Sequence, residues 1–114
     1  MLTITVRTLP QFDKWLMDLR DSKTKARLLA RLRKVQRGSM GDVNTIGDGV
    51  CEMREHFGPG WRMYYVQRGT TVIVLLCGGN KRSQTRDITA AKRLAAELED
   101  ENEGKKQNQD KHAP

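Results

Sequence analysis

Apolar residues change their spacing twice along the chain, and the changes mark its elements. Leu2-Thr3-Ile4-Thr5-Val6 alternates apolar and β-branched polar residues, which predicts a short strand. Beyond Pro10, which suits a first helical turn, Phe12, Leu16 and Leu19 recur at helical spacing with Trp15 beside them. Asp21 or Ser22 can cap a second helix that carries Ala26, Leu28, Leu29, Leu32 and Val35 on one side. Its other side is cationic, with Lys25, Arg27, Arg31, Arg33, Lys34 and Arg37, and Gly38 is a natural stop. From Gly41 the period becomes two. A short strand is expected at Val43–Ile46, then strands at Val50–Phe57, Trp61–Gln67 and Thr71–Cys77. Gly47-Asp48-Gly49, Gly58-Pro59-Gly60 and Arg68-Gly69-Thr70 separate them as turns. The last strand is apolar on both faces, as in a strand inside a sheet. Helical spacing returns with Ile88, Ala91, Leu94, Ala95 and Leu98.

These elements predict one α+β domain over residues 1–100, in the order β-α-α-β-β-β-α. A mostly antiparallel, four-stranded sheet packs on the helices. Residues 101–114 hold no large apolar side chain and are expected to form a disordered polar tail. A chain of 114 residues has room for a single core.

Charge points to an anionic partner. The net charge is +7, but residues 1–96 carry 18 Lys and Arg against 8 Asp and Glu, a net +10. The start of the chain lacks the basic and apolar regions of a signal peptide, and the longest apolar run, Val72–Cys77, is too short to span a bilayer. A cytoplasmic protein with reduced Cys51 and Cys77 is expected; a disulfide between them requires their strands to be neighbours. With two histidines, His56 and His112, and no paired ligands, neither a metal site nor any other cofactor is expected. No phosphate-binding glycine loop and no nucleophile elbow is present.

Alternation along the Val50–Gln67 hairpin assigns the candidate chemistry to one face. Cys51, Met53 and Phe57 share the core side of the first arm, and Glu52, Arg54 and His56 the other. Cross-strand pairing then sets Arg54, His56, Arg62 and Tyr64 on one surface. Glu52 or Glu55 are candidate partners for the arginines. After the last strand, Gly78-Gly79-Asn80-Lys81-Arg82-Ser83-Gln84-Thr85-Arg86-Asp87-Ile88 adds Lys81, Arg82 and Arg86. Metal-free RNA cleavage by attack of the ribose 2′-hydroxyl needs two proton-transfer groups and positive charge on the phosphate. Arg54 and Arg62 suit the phosphate, His56 the proton, Lys81 either task, and Tyr64 a stacked base.

The strand bearing Met53-Arg54, the Gly60-Trp61-Arg62-Met63-Tyr64-Tyr65 arm and the Gly79-to-Ile88 stretch resemble the RelE/ParE toxin superfamily. The resemblance covers roughly residues 2–100 and points to the HigB-like branch, the addiction module killer proteins. It implies the toxin of a bacterial type II toxin–antitoxin system that cuts messenger RNA on the ribosome without metal. A protein antitoxin, usually carrying a helix-turn-helix, would neutralise it. The same resemblance implies catalytic roles for Arg54, Arg62 and Lys81, with His56 as a substitute proton-transfer group, and RNA contacts for Arg82, Arg86 and Tyr64. Asp87 or its neighbourhood stands where RelE has a tyrosine. The alternative within the superfamily is a ParE-like inhibitor of DNA gyrase with no nuclease activity.

Overall fold

A computed structural model describes residues 3–112, with side chains as far as Glu101. The chain runs β1 (Thr5–Thr8), α1 (Pro10–Met17), α2 (Ser22–Gln36), β2 (Val43–Gly47), β3 (Val50–Glu55), β4 (Trp61–Arg68), β5 (Val72–Asn80) and α3 (Gln84–His112). Sequence signals account for most boundaries. Pro10 opens α1, and the Asp21 side chain accepts from the Lys23 N–H at the start of α2, a cap worth about 1 kcal/mol. Gly38, at φ 93°, ends α2 in the left-handed conformation that glycine adopts without strain.

The sheet has five strands in the order β1-β5-β4-β3-β2. This corrects the expected four-stranded sheet. The short Val43–Gly47 segment is a full member, antiparallel to β3, and β1 lies parallel to β5. β5 is internal, as its apolar faces require. β4 lies between β3 and β5, so Cys51 and Cys77 sit on strands that are not neighbours, and both are free thiols. Burial pushes the Cys77 thiol up to about 12.

Helices cover both faces. Phe12, Leu28, Leu32 and Val35 from α1 and α2 pack on Met53, Met63, Tyr65, Ile73 and Leu75. On the other face Ala91, Leu94 and Ala95 of α3 pack on Val50, Tyr64, Val66 and Leu76. Each large apolar side chain buried in these layers contributes about 1.5–3 kcal/mol. α3 continues past Asp100 to His112, but its packed apolar residues end at Leu98. The side chains of the expected polar tail lie outside the described residues beyond Glu101.

One irregularity shapes the site. The β4–β5 register steps from Tyr65↔Leu75 to Tyr64↔Cys77, leaving Leu76 as an extra residue. Past this bulge Gly78 faces α1 and Gly79 faces α3. The glycines stay inside β5 instead of bending the chain away, and their missing side chains are filled by neighbours. A Cβ at Gly78 would run into the Trp15 ring, and one at Gly79 into the Asp87 carboxylate.

Candidate functional site

The hairpin register pairs Glu52 with Tyr64 and Arg54 with Arg62, so the predicted residues do share a face. That face is not open along its length. α3 covers its centre and leaves only the hairpin tip free. Tyr64 is 0% exposed, Arg62 8% and the His56 side chain 70%. Tyr64 therefore presents no open ring to a base. Burial pushes its phenol well above the usual range, with the Glu52 and Asp87 charges adding to the effect. Its hydroxyl and the Arg62 Nε have no hydrogen-bond partner among the described residues.

Two adjacent depressions divide the candidate cations between them. One, of about 250 Å³, is lined by His56, Gly58, Pro59, Gly60, Arg62 and Lys81. The Phe57–Gly60 turn closes through a Gly60 N–H to Phe57 carbonyl bond of 3.1 Å, with Gly58 and Gly60 at φ 56° and 79°. This turn brings the Gly60 backbone under both cations: an ideal Cβ there would lie 3.5 Å from Lys81 Cβ and 3.8 Å from Arg62 Nη1. Arg62 Nη1 donates to the Trp61 carbonyl at 3.2 Å, and its Nε lies 3.9 Å from Glu52 Oε2. Glu52 is 2% exposed and accepts from Gln84 Nε2 at 3.2 Å. Arg62 is thus set from behind by a buried carboxylate, while Lys81 is exposed at the rim.

Arg54 lies outside this lining. Its Nη2 donates to Asp42 Oδ1 at 2.8 Å, and Asp42 Oδ2 lies 2.6 Å from His56 Nε2. The hydrogen bonds from Arg54 and then from His56 hold the Asp42 carboxyl down at about 2. Arg31 fixes this arrangement. Counted in the sequence among the cations of an outer helix face, it is 8% exposed. It donates to the carbonyls of Met40, Asp42 and Arg54 at 2.8–3.1 Å and to Glu55 at 3.0 Å. Glu55 therefore partners Arg31, and neither it nor Glu52 is the partner of Arg54. Asp42 was missed because it precedes a short polar strand. The signal was the β2–β3 register: with Val43 opposite Met53, Asp42 falls opposite Arg54.

Arg82 and Arg86 line the second depression, of about 520 Å³, with Trp15, Trp61, Asn80 and Asp87. Arg86 Nε lies 3.9 Å from Asp87 Oδ1. The Ser83 hydroxyl donates to Asp87 Oδ2, and Asn80 Oδ1 accepts the Arg82 and Ser83 N–H groups, which fixes the β5–α3 corner. Asp87 is thus a buried structural acid over Gly79.

Residues 14–98 match the family described as Phage derived protein Gp49-like. The chain belongs to this family. The Gp49-like chain is also 40% identical over 97 residues to an uncharacterized protein of Haemophilus influenzae, across 85% of this chain and 98% of that protein. Its fold matches a chain in the crystal structure of the toxin–antitoxin complex RelBE2 from Mycobacterium tuberculosis. The TM-score is 0.58 at 18% identity, covering 70% of this chain and 100% of that one. The RelE-like fold inferred from sequence motifs is therefore found in the Gp49-like chain, with the five-stranded mixed sheet described above. No described helix is long and apolar enough to cross a membrane.

Proposed function

We propose that this Gp49-like chain is the toxin of a type II toxin–antitoxin pair and acts as a ribosome-dependent mRNA endoribonuclease of the HigB-like kind. The observation that carries the reading is the 250 Å³ depression, where His56, Arg62 and Lys81 meet over a glycine-rich turn. A scissile phosphate there receives the Arg62 guanidinium and the Lys81 ammonium, which offset charge that grows in the transition state. With His56 Nε2 held at 2.6 Å from the Asp42 carboxylate, Nδ1 is the ring nitrogen left to take the 2′-hydroxyl proton. Lys81, which lines the same depression, protonates the leaving 5′ oxygen in this reading. Arg54 acts one step back: bound to the same carboxylate, it orients Asp42 and thereby His56.

An antitoxin is the expected protein partner, since the RelBE2 chain of the same fold was crystallised as a toxin–antitoxin complex. An acidic segment over the His56/Arg62/Lys81 depression would neutralise it. Induced expression in bacteria should arrest growth and leave messages truncated within their coding regions. Intact messages with double-strand DNA breaks would instead identify the gyrase-inhibitor alternative and sink the nuclease reading.

A further inference from the structure

The 520 Å³ cleft beside the phosphate depression combines indole and guanidinium side chains. β1 accompanies β5 only as far as Leu75, so among the described residues no strand pairs with Gly78–Asn80 on that side. α1 and the start of α3 bound the resulting gap. Trp15 lies on Gly78, with Trp61 at 6.2 Å and 61° to it. Both indoles line the cleft, and Arg82 and Arg86 stand exposed at its rim. Aromatic walls, a polar backbone edge and unburied guanidinium groups are what an unpaired nucleotide needs: a surface for the base and cations for its phosphate. The cleft also runs on from the phosphate depression in the covalent structure. Trp61 precedes Arg62, Asn80 precedes Lys81, and Trp61 pairs with Asn80 across β4 and β5.

We propose that this cleft holds one unpaired nucleotide of the RNA strand, next to the phosphate seated by Arg62 and Lys81. The inference rests on the RNA-cleaving reading above and names the subsite that reading lacks. It also supplies the aromatic contact that the buried Tyr64 cannot make.

The chain has two tryptophans, Trp15 and Trp61, and both line the cleft, so selectively excited tryptophan emission reports on this site. The full chain should be titrated with a three-nucleotide RNA whose 2′-hydroxyls are methylated to block cleavage. Saturable quenching of tryptophan emission is expected. A trimer with one abasic position should bind about tenfold more weakly and lose the quenching. The double variant Arg82→Ala/Arg86→Ala should weaken binding while thermal unfolding stays unchanged. Trp15→Phe, which keeps an aromatic ring on Gly78, should retain binding with reduced emission. Intact and abasic trimers binding equally, with emission unchanged, would overturn the nucleotide site even if ribosomal cleavage is observed. No binding at millimolar RNA would overturn it too. Quenching by an antitoxin peptide and never by RNA would do the same and mark the cleft as a protein-docking surface. Quenching by the trimer without cleavage on ribosomes would keep the nucleotide site and sink the nuclease reading.

Discussion

Asp42 is the residue on which the site's electrostatics turn. It sits between Arg54 and His56 at hydrogen-bond distance from each, and both bonds favour its charged form. Its carboxyl is lowered from 3.8 to about 2, so the stabilisation it supplies is complete above the unfolded value and is lost as pH falls through about 2. A carbon-detected pH titration should show the Asp42 side-chain signal flat from pH 7 to 4 and moving only near 2. A midpoint near 4 would mean that the Asp42 bridge is absent in solution. Arg31 is the second such residue. Its guanidinium satisfies three carbonyls and Glu55 from an almost fully buried position. Arg31→Met should cost about 3–5 kcal/mol in urea unfolding, because truncation strands those acceptors. A loss under 1 kcal/mol would place Arg31 back on a solvated surface. Glu52 behind Arg62 makes Arg62→Ala a poor probe of catalysis, since it leaves a buried carboxylate without its cation. Lys81, exposed, is the better one.

At the scale of elements, the β5 bulge and the two glycines after it decide where the cavities fall. Gly79 admits Asp87, which ties α3 to the sheet, and Gly78 admits Trp15 from α1. Gly78→Ala should destabilise the fold by about 1–3 kcal/mol through overpacking, with a measurable change in Trp15 emission. A neutral effect on both would show that the indole does not rest on the strand. The β3–β4 hairpin was legible because strict alternation over two long arms leaves one way to bury Met53 and Met63. Its register follows, and so does the shared face of Arg54 and Arg62. Val43–Ile46 read as a short strand, but its place in the sheet was not legible: its residues are largely exposed and do not show which strand they pair with, and with that pairing Asp42 was lost. Nor was the closing of the cationic face by α3. Periodicity shows that a helix has an apolar stripe but not which side of a sheet receives it, and this is why Tyr64 read as a surface residue.

The whole molecule brings three exposed cations, Lys81, Arg82 and Arg86, to one end of a sheet whose faces are packed by helices. Residues 1–96 carry a net +10 in a chain of net +7, and two concavities at the β4–β5 end hold His56, Arg62 and Lys81 on one side and Arg82 and Arg86 on the other. Such a surface attracts nucleic acid at long range, and its affinity for RNA should fall steeply between 50 and 200 mM salt. Charge alone serves a binding protein as well as an enzyme; the proton-transfer roles proposed for His56 and Lys81 are what would distinguish the two. The most direct test uses purified ribosomes programmed with a short message and compares wild type with Lys81→Ala. Wild type should cut the message in the A-site codon. Lys81→Ala, with unchanged thermal unfolding, should cut at least about a hundredfold more slowly. Equal rates for the two proteins, or an uncut message with wild type, would contradict the catalytic role of this depression.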